Sequence, residues 1–131
     1  MHRTYVRIVG EAMTLSRHIP LSIHAGIETL TAPLVMASPF IFGLDAPAAM
    51  ACMVIGALHL YLALQIAGPQ RTIPLSAHAS YDYALAGFAA VTGLVTGAIT
   101  GAWAPVILLV GIGVAQVALT ASTRFSFPRS A

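Results

Sequence analysis

From residue 19 onward the chain is a succession of long apolar runs separated by short polar interruptions. Four runs reach roughly the 20 residues that a bilayer crossing requires. They cover about 21–43, 47–67, 75–99 and 103–122. An open strand in lipid would leave its backbone polar groups unpaired, so each run predicts a helix. Pro47 and Pro105 suit first helical turns, as do Pro20 and Pro74. The stretch 2–17, HRTYVRIVGEAMTLSR, is too short and too polar to span. Arg3, Arg7, Glu11 and Thr14 fall on one helical stripe, with Tyr5, Val6, Val9, Ala12 and Met13 largely opposite. That pattern predicts an amphipathic helix lying in the membrane interface.

Composition supports the same reading. Of 131 residues, 58% are hydrophobic and only 8% charged. A water-soluble chain averages about 25% charged residues. The net charge of +2 comes without any basic run, which argues against nucleic acid as a partner. All six basic residues are arginines, so lysine Schiff-base chemistry is excluded. The single Cys52 forms no internal disulfide and reads as a small packing residue. Arg3, Arg7 and Arg17 precede the first run, Arg71 lies between the second and third, and Arg124 and Arg129 follow the fourth. By the positive-inside rule both ends of the chain are expected on the cytoplasmic side. Trp103 is then an anchor at the outer interface.

Two segments repeat. IPLSIHAGIE, from Ile19, and IPLSAHASYD, from Ile73, share six of ten residues. The period is 54 residues, and each unit is a helical hairpin that begins and ends inside. GALHLYLALQ, from Gly56, aligns with GIGVAQVALT, from Gly111, if the second outer loop gains one residue. The expected fold is thus an all-α integral membrane four-helix bundle of two parallel-repeat hairpins, with an N-terminal interfacial amphipathic helix. Its parts are the interfacial helix 1–18, hairpin 19–67, linker 68–74, hairpin 75–122 and cytoplasmic tail 123–131.

The segment Ala37-Ser38-Pro39-Phe40-Ile41-Phe42-Gly43-Leu44, followed by a helix entered at Pro47 and carrying Gly56, resembles the SPW-repeat membrane proteins. Phe40 stands where that motif has Trp, and the second hairpin has Thr92-Gly93-Leu94 instead. The resemblance covers roughly 30–65. It implies a repeated two-helix unit and a bacterial inner membrane, and it carries no defined activity.

The chemistry of the chain is concentrated in its repeat. His24 and Glu28 are four apart on one helical face, as are His78 and Asp82. Ionisable groups inside a membrane are costly unless paired or turned inward. His59 lies eight residues from the inner end of its run, roughly 12 Å deep, level with Glu28. Its repeat counterpart in this alignment is Val114, and Gln116 matches Tyr61. Tyr81 and Tyr83 flank Asp82, so one can reach the pairs while the other meets headgroups.

Four interpretations compete. Each His and carboxylate pair can neutralise itself at a helix start. A transition metal can be held by His24, Glu28, His59, His78 and Asp82. Haem b can be bound through His24 and His78, with His59 nearby. A quinone or proton path can use the same groups. Gly93, Gly97 and Gly101 form a small-residue stripe for close packing or oligomerisation. Pro33 and Pro39 are expected to bend the first helix. No GxSxG, P-loop, HExxH or dinucleotide-binding motif is present, so no enzyme is expected. The leading expectation is a non-enzymatic structural or accessory subunit, working as a homo-oligomer or within a larger membrane complex. Intramembrane cofactor binding comes second, and a small oligomeric transporter or channel third.

Overall fold

The computed structural model describes residues 17–69 and 71–126. The expected interfacial helix lies outside them, apart from Arg17 and His18. Four helices carry the chain: α1 (Leu21–Phe42), α2 (Ala46–Ala67), α3 (Leu75–Thr100) and α4 (Trp103–Ala121). Each is long and apolar enough to cross a membrane. Their ends agree with the hydropathy reading to within about one residue. α1 runs unbroken through Pro33 and Pro39.

The turns at the far end follow from single residues. Asp45 caps α2, its Oδ1 accepting from Ala48 N–H at 3.0 Å. Gly43 (φ 62°) and Gly101 (φ 69°) end α1 and α3 in the left-handed conformation that glycine tolerates best. The opposite connection, between α2 and α3, is tied by Gln65. Its Oε1 accepts from Thr72 N (2.8 Å), Thr72 Oγ1 (3.0 Å) and Ile73 N (3.2 Å).

One element was not expected. Ile19–Pro20 (β1) and Thr123–Arg124 (β2) pair as short parallel strands. Ile19 N–H also donates to Ser122 O at 2.9 Å. Of the expected tail 123–131, the described residues 123–126 fold back over the start of α1, and the rest lies outside the described residues.

α1 packs along α2, and α3 along α4, with α2 against α3 joining the pairs. Val35, Cys52, Ile55, Leu62, Leu85, Ala89 and Leu109 form the central core. A smaller group, Leu21, Ala25 and Ile66, lies at the β1 end, with Leu75 and Phe125 against it. Large apolar side chains such as Leu30, Met50, Ile99 and Ile107 point outward.

Burial corrects the register of the sequence alignment. His59 is buried, whereas its supposed counterpart Val114 is 64% exposed. Tyr61, matched to buried Gln116, is 50% exposed. A shift of 57 positions restores agreement: Cys52 with Leu109, Gly56 with Gly113, His59 with Gln116 and Ala63 with Thr120 are all buried pairs. The backbone contacts say why. A Cβ on Gly56 would lie 2.9 Å from Ala32 O, and one on Gly113 would lie 2.6 Å from Ala86 O. Nothing lies within 4 Å of a Cβ on Gly111. Repeated apolar letters cannot distinguish a packed glycine from a lipid-facing one. The Gly93 and Gly97 stripe is used inside the molecule, against Leu109 and Val106 of α4.

These contacts make a paired prediction. Gly113→Ala forces a methyl into the Ala86 carbonyl and is expected to lower stability by about 1–3 kcal/mol. Gly111→Ala is expected to be neutral or slightly stabilising. Unfolding of both variants in mild detergent checks this.

Candidate functional site

The four groups singled out by the repeat meet in one place. His24 and Glu28 come from the first two turns of α1, and His78 and Asp82 from the matching turns of α3. All four are buried, none more than 1% exposed. Their donor atoms lie within 4.8 Å of one another.

The pairs interlock rather than stand separately. His24 Nε2 is 3.2 Å from Glu28 Oε1 on its own helix and 3.2 Å from Asp82 Oδ2 across the gap. His78 Nε2 is 3.4 Å from Asp82 Oδ1 and 3.7 Å from Glu28 Oε2. Charge-assisted N–H···O bonds are normally about 2.7–2.9 Å, so these contacts are loose for hydrogen bonds.

Residues on and just after α4 hold the cluster from outside. Gln116 Nε2 donates to Glu28 Oε1 at 2.5 Å. Thr120 Oγ1 approaches Asp82 Oδ2 at 3.4 Å, at the long limit of a hydrogen bond. The Thr123 hydroxyl gives its one proton to Leu119 O at 2.7 Å. Thr123 Oγ1 must therefore accept from His24 Nδ1–H, 2.8 Å away. That contact fixes the imidazole so that Nε2 faces the cluster. Phe125 covers the end of the site, with ring centroids 5.3 Å from His24 and 6.0 Å from His78.

The result is a division of labour between the two ends of each group. His24 Nδ1, Glu28 Oε1 and Asp82 Oδ2 have outer partners. His24 Nε2, His78 Nε2, Glu28 Oε2 and Asp82 Oδ1 are buried without a hydrogen-bond partner. Buried polar atoms are rarely left so.

His59 does not join the four. It is buried on α2, and its Nδ1–H donates to Ile55 O at 3.0 Å. Its Nε2 also lacks a partner. Tyr81 and Tyr83 are both about half exposed rather than turned into the site. Cys52 lies in the apolar core. A haem between His24 and His78 does not suit this geometry, because both carboxylates occupy the space between the imidazoles.

Sequence reasoning missed Thr120, Thr123 and Phe125. The available signal was polar residues at 116, 120 and 123, spaced to share a face of an otherwise apolar helix end. Comparison of the chain with protein-family models, curated proteins and solved structures finds no match.

Thr123→Val removes the acceptor for His24 Nδ1–H while keeping the side-chain shape. It is expected to cost about 1–3 kcal/mol, whereas Thr123→Ser, which keeps the hydroxyl, costs less. Detergent unfolding of the two variants separates the hydroxyl's contribution from its packing.

Proposed function

We propose that this protein is a membrane-embedded metal-binding protein in which one divalent transition-metal ion locks two helical hairpins together. The carrying observation is a buried group of two imidazoles and two carboxylates whose ligand atoms lie within 4.8 Å of one another, each residue keeping one buried atom without a hydrogen-bond partner. Metal–ligand bonds of about 2.0–2.2 Å around a tetrahedron place neighbouring ligands about 3.3–3.6 Å apart. Between the unpartnered atoms, His78 Nε2 lies 3.4 Å from Asp82 Oδ1 and 3.7 Å from Glu28 Oε2, close to that range, while His24 Nε2 lies 3.2 Å from the other oxygen of each carboxylate.

Charge supports the same reading. Two carboxylates in an apolar interior carry a charge that burial penalises heavily. A dication balances them and leaves a neutral centre. The N2O2 donor set suits a borderline ion, and four-coordinate zinc is the closest geometric match. Gln116, Thr120 and Thr123 orient the ligands from behind, as outer hydrogen-bond partners do in metal sites.

Four protein donors fill a tetrahedron and leave no open position for a substrate. The ion is therefore held rather than used in catalysis. Its role is to join α1 to α3, which share few close backbone contacts. This gives the expected accessory or structural subunit a physical basis. The matched burial of the two hairpins supports a duplicated bundle unit. The site lies at the same end as Arg17, Arg71 and Arg124, which supports a cytoplasm-facing orientation.

Metal analysis of protein purified in mild detergent without chelator tests the proposal. The expected result is about one ion per chain. His24→Ala/His78→Ala is expected to carry none. Gln116→Leu is expected to weaken zinc binding about 10–100-fold while remaining folded. A folded wild-type protein that takes up no more zinc than the double variant overturns the reading.

A further inference from the structure

A second feature near the same end of the molecule is independent of the ion. A groove of about 790 Å³ opens between α1, the end of α2 and the strand β2. Its walls are largely apolar, including Leu21, Ala25, Leu30 and Ile66. Two guanidinium groups, Arg71 and Arg124, line it, and its described lining carries no acidic side chain. The charge is thus at one end of an otherwise greasy channel.

The dimensions identify a class of occupant. From Leu21 to Leu30 the α1 wall rises about 14 Å. Half the hydrocarbon thickness of a bilayer is about 15 Å. A molecule with an anionic head and a chain one leaflet deep matches both the charge and the length. Gly26 contributes to the shape: a Cβ there would meet nothing within 4 Å, so the groove wall stays open at mid-depth.

We propose that this groove is a binding site for one anionic phospholipid, with its phosphate at Arg124 and an acyl chain along α1 past Gly26. Basic residues at the cytoplasmic boundary attract anionic lipid headgroups in general. Here Arg124 is joined to a shaped apolar groove, which adds selectivity for a chain-bearing ligand. Arg124 belongs to β2, next to Thr123, whose hydroxyl holds His24. A lipid phosphate on Arg124 therefore steadies the strand that covers the buried cluster.

Native mass spectrometry of the full chain in mild detergent tests the site. The probes are phosphatidylglycerol, phosphatidylcholine with the same acyl chains, and sn-glycerol 3-phosphate as a free headgroup. The expected result is one phosphatidylglycerol retained in preference to phosphatidylcholine, with no competition from equimolar glycerol phosphate. Arg124→Gln is expected to weaken retention about five-fold. Gly26→Leu fills the groove and is expected to abolish retention without lowering the unfolding temperature. Equal retention of the two lipids, displacement by glycerol phosphate, or unchanged binding in Gly26→Leu overturns the proposal. So does a dimer that Gly26→Leu dissociates, because the groove is then held by a second copy of the chain. Zinc content measured on the same samples keeps this outcome separate from that of the metal site.

Discussion

Two carboxylates enclosed among apolar helices set the terms for the rest of this structure. Glu28 and Asp82 cannot be left uncompensated in such surroundings. Each therefore has an imidazole one turn before it on its own helix and another across the gap. Each histidine lies close to both carboxylates, so the cluster spans the gap between α1 and α3. The apolar core holds each hairpin together, while the polar cluster specifies how the hairpins face each other. The oblique contributions of Gln116, Thr120 and Thr123 then determine which atom of each group remains available in the centre.

Much of this was legible in the sequence, and the reason is periodicity. Apolar runs of membrane length are bounded by Pro20, Asp45, Pro74 and Gly101, so helix ends are marked by chemistry as well as by hydropathy. The spacing of His24 with Glu28 and His78 with Asp82 forces each pair onto one face. The matching IPLS starts put each pair at the same position along its own helix. That the two pairs meet each other, rather than each neutralising itself, and that His59 stays apart, is seen only in the fold.

The parts that escaped are those where periodicity is silent. Position along the helix alone places His59 with Glu28. Its Nδ1 is instead committed to Ile55 O within its own helix. The sequence alignment sets packed Gly56 against open Gly111, because Gly111 and Gly113 are the same letter in opposite environments. Phe125 and Thr123 looked like tail residues, since nothing local marks a polar segment as returning to the start of the fold. Their placement depends on β1 and β2 meeting, a contact between residues about one hundred positions apart.

That meeting of strands has a mechanical consequence. β1 leads into the first helix and β2 leaves the last, and they run parallel. Tension applied between the two flanking ends therefore pulls the strands past one another in shear, loading their bonds together rather than peeling them one by one. The helices are shielded from that force until the strands slip. When they do, Thr123 moves with β2, and the hydroxyl that orients His24 is withdrawn first. Stretching the chain thus reaches the buried cluster before it disturbs the helix packing.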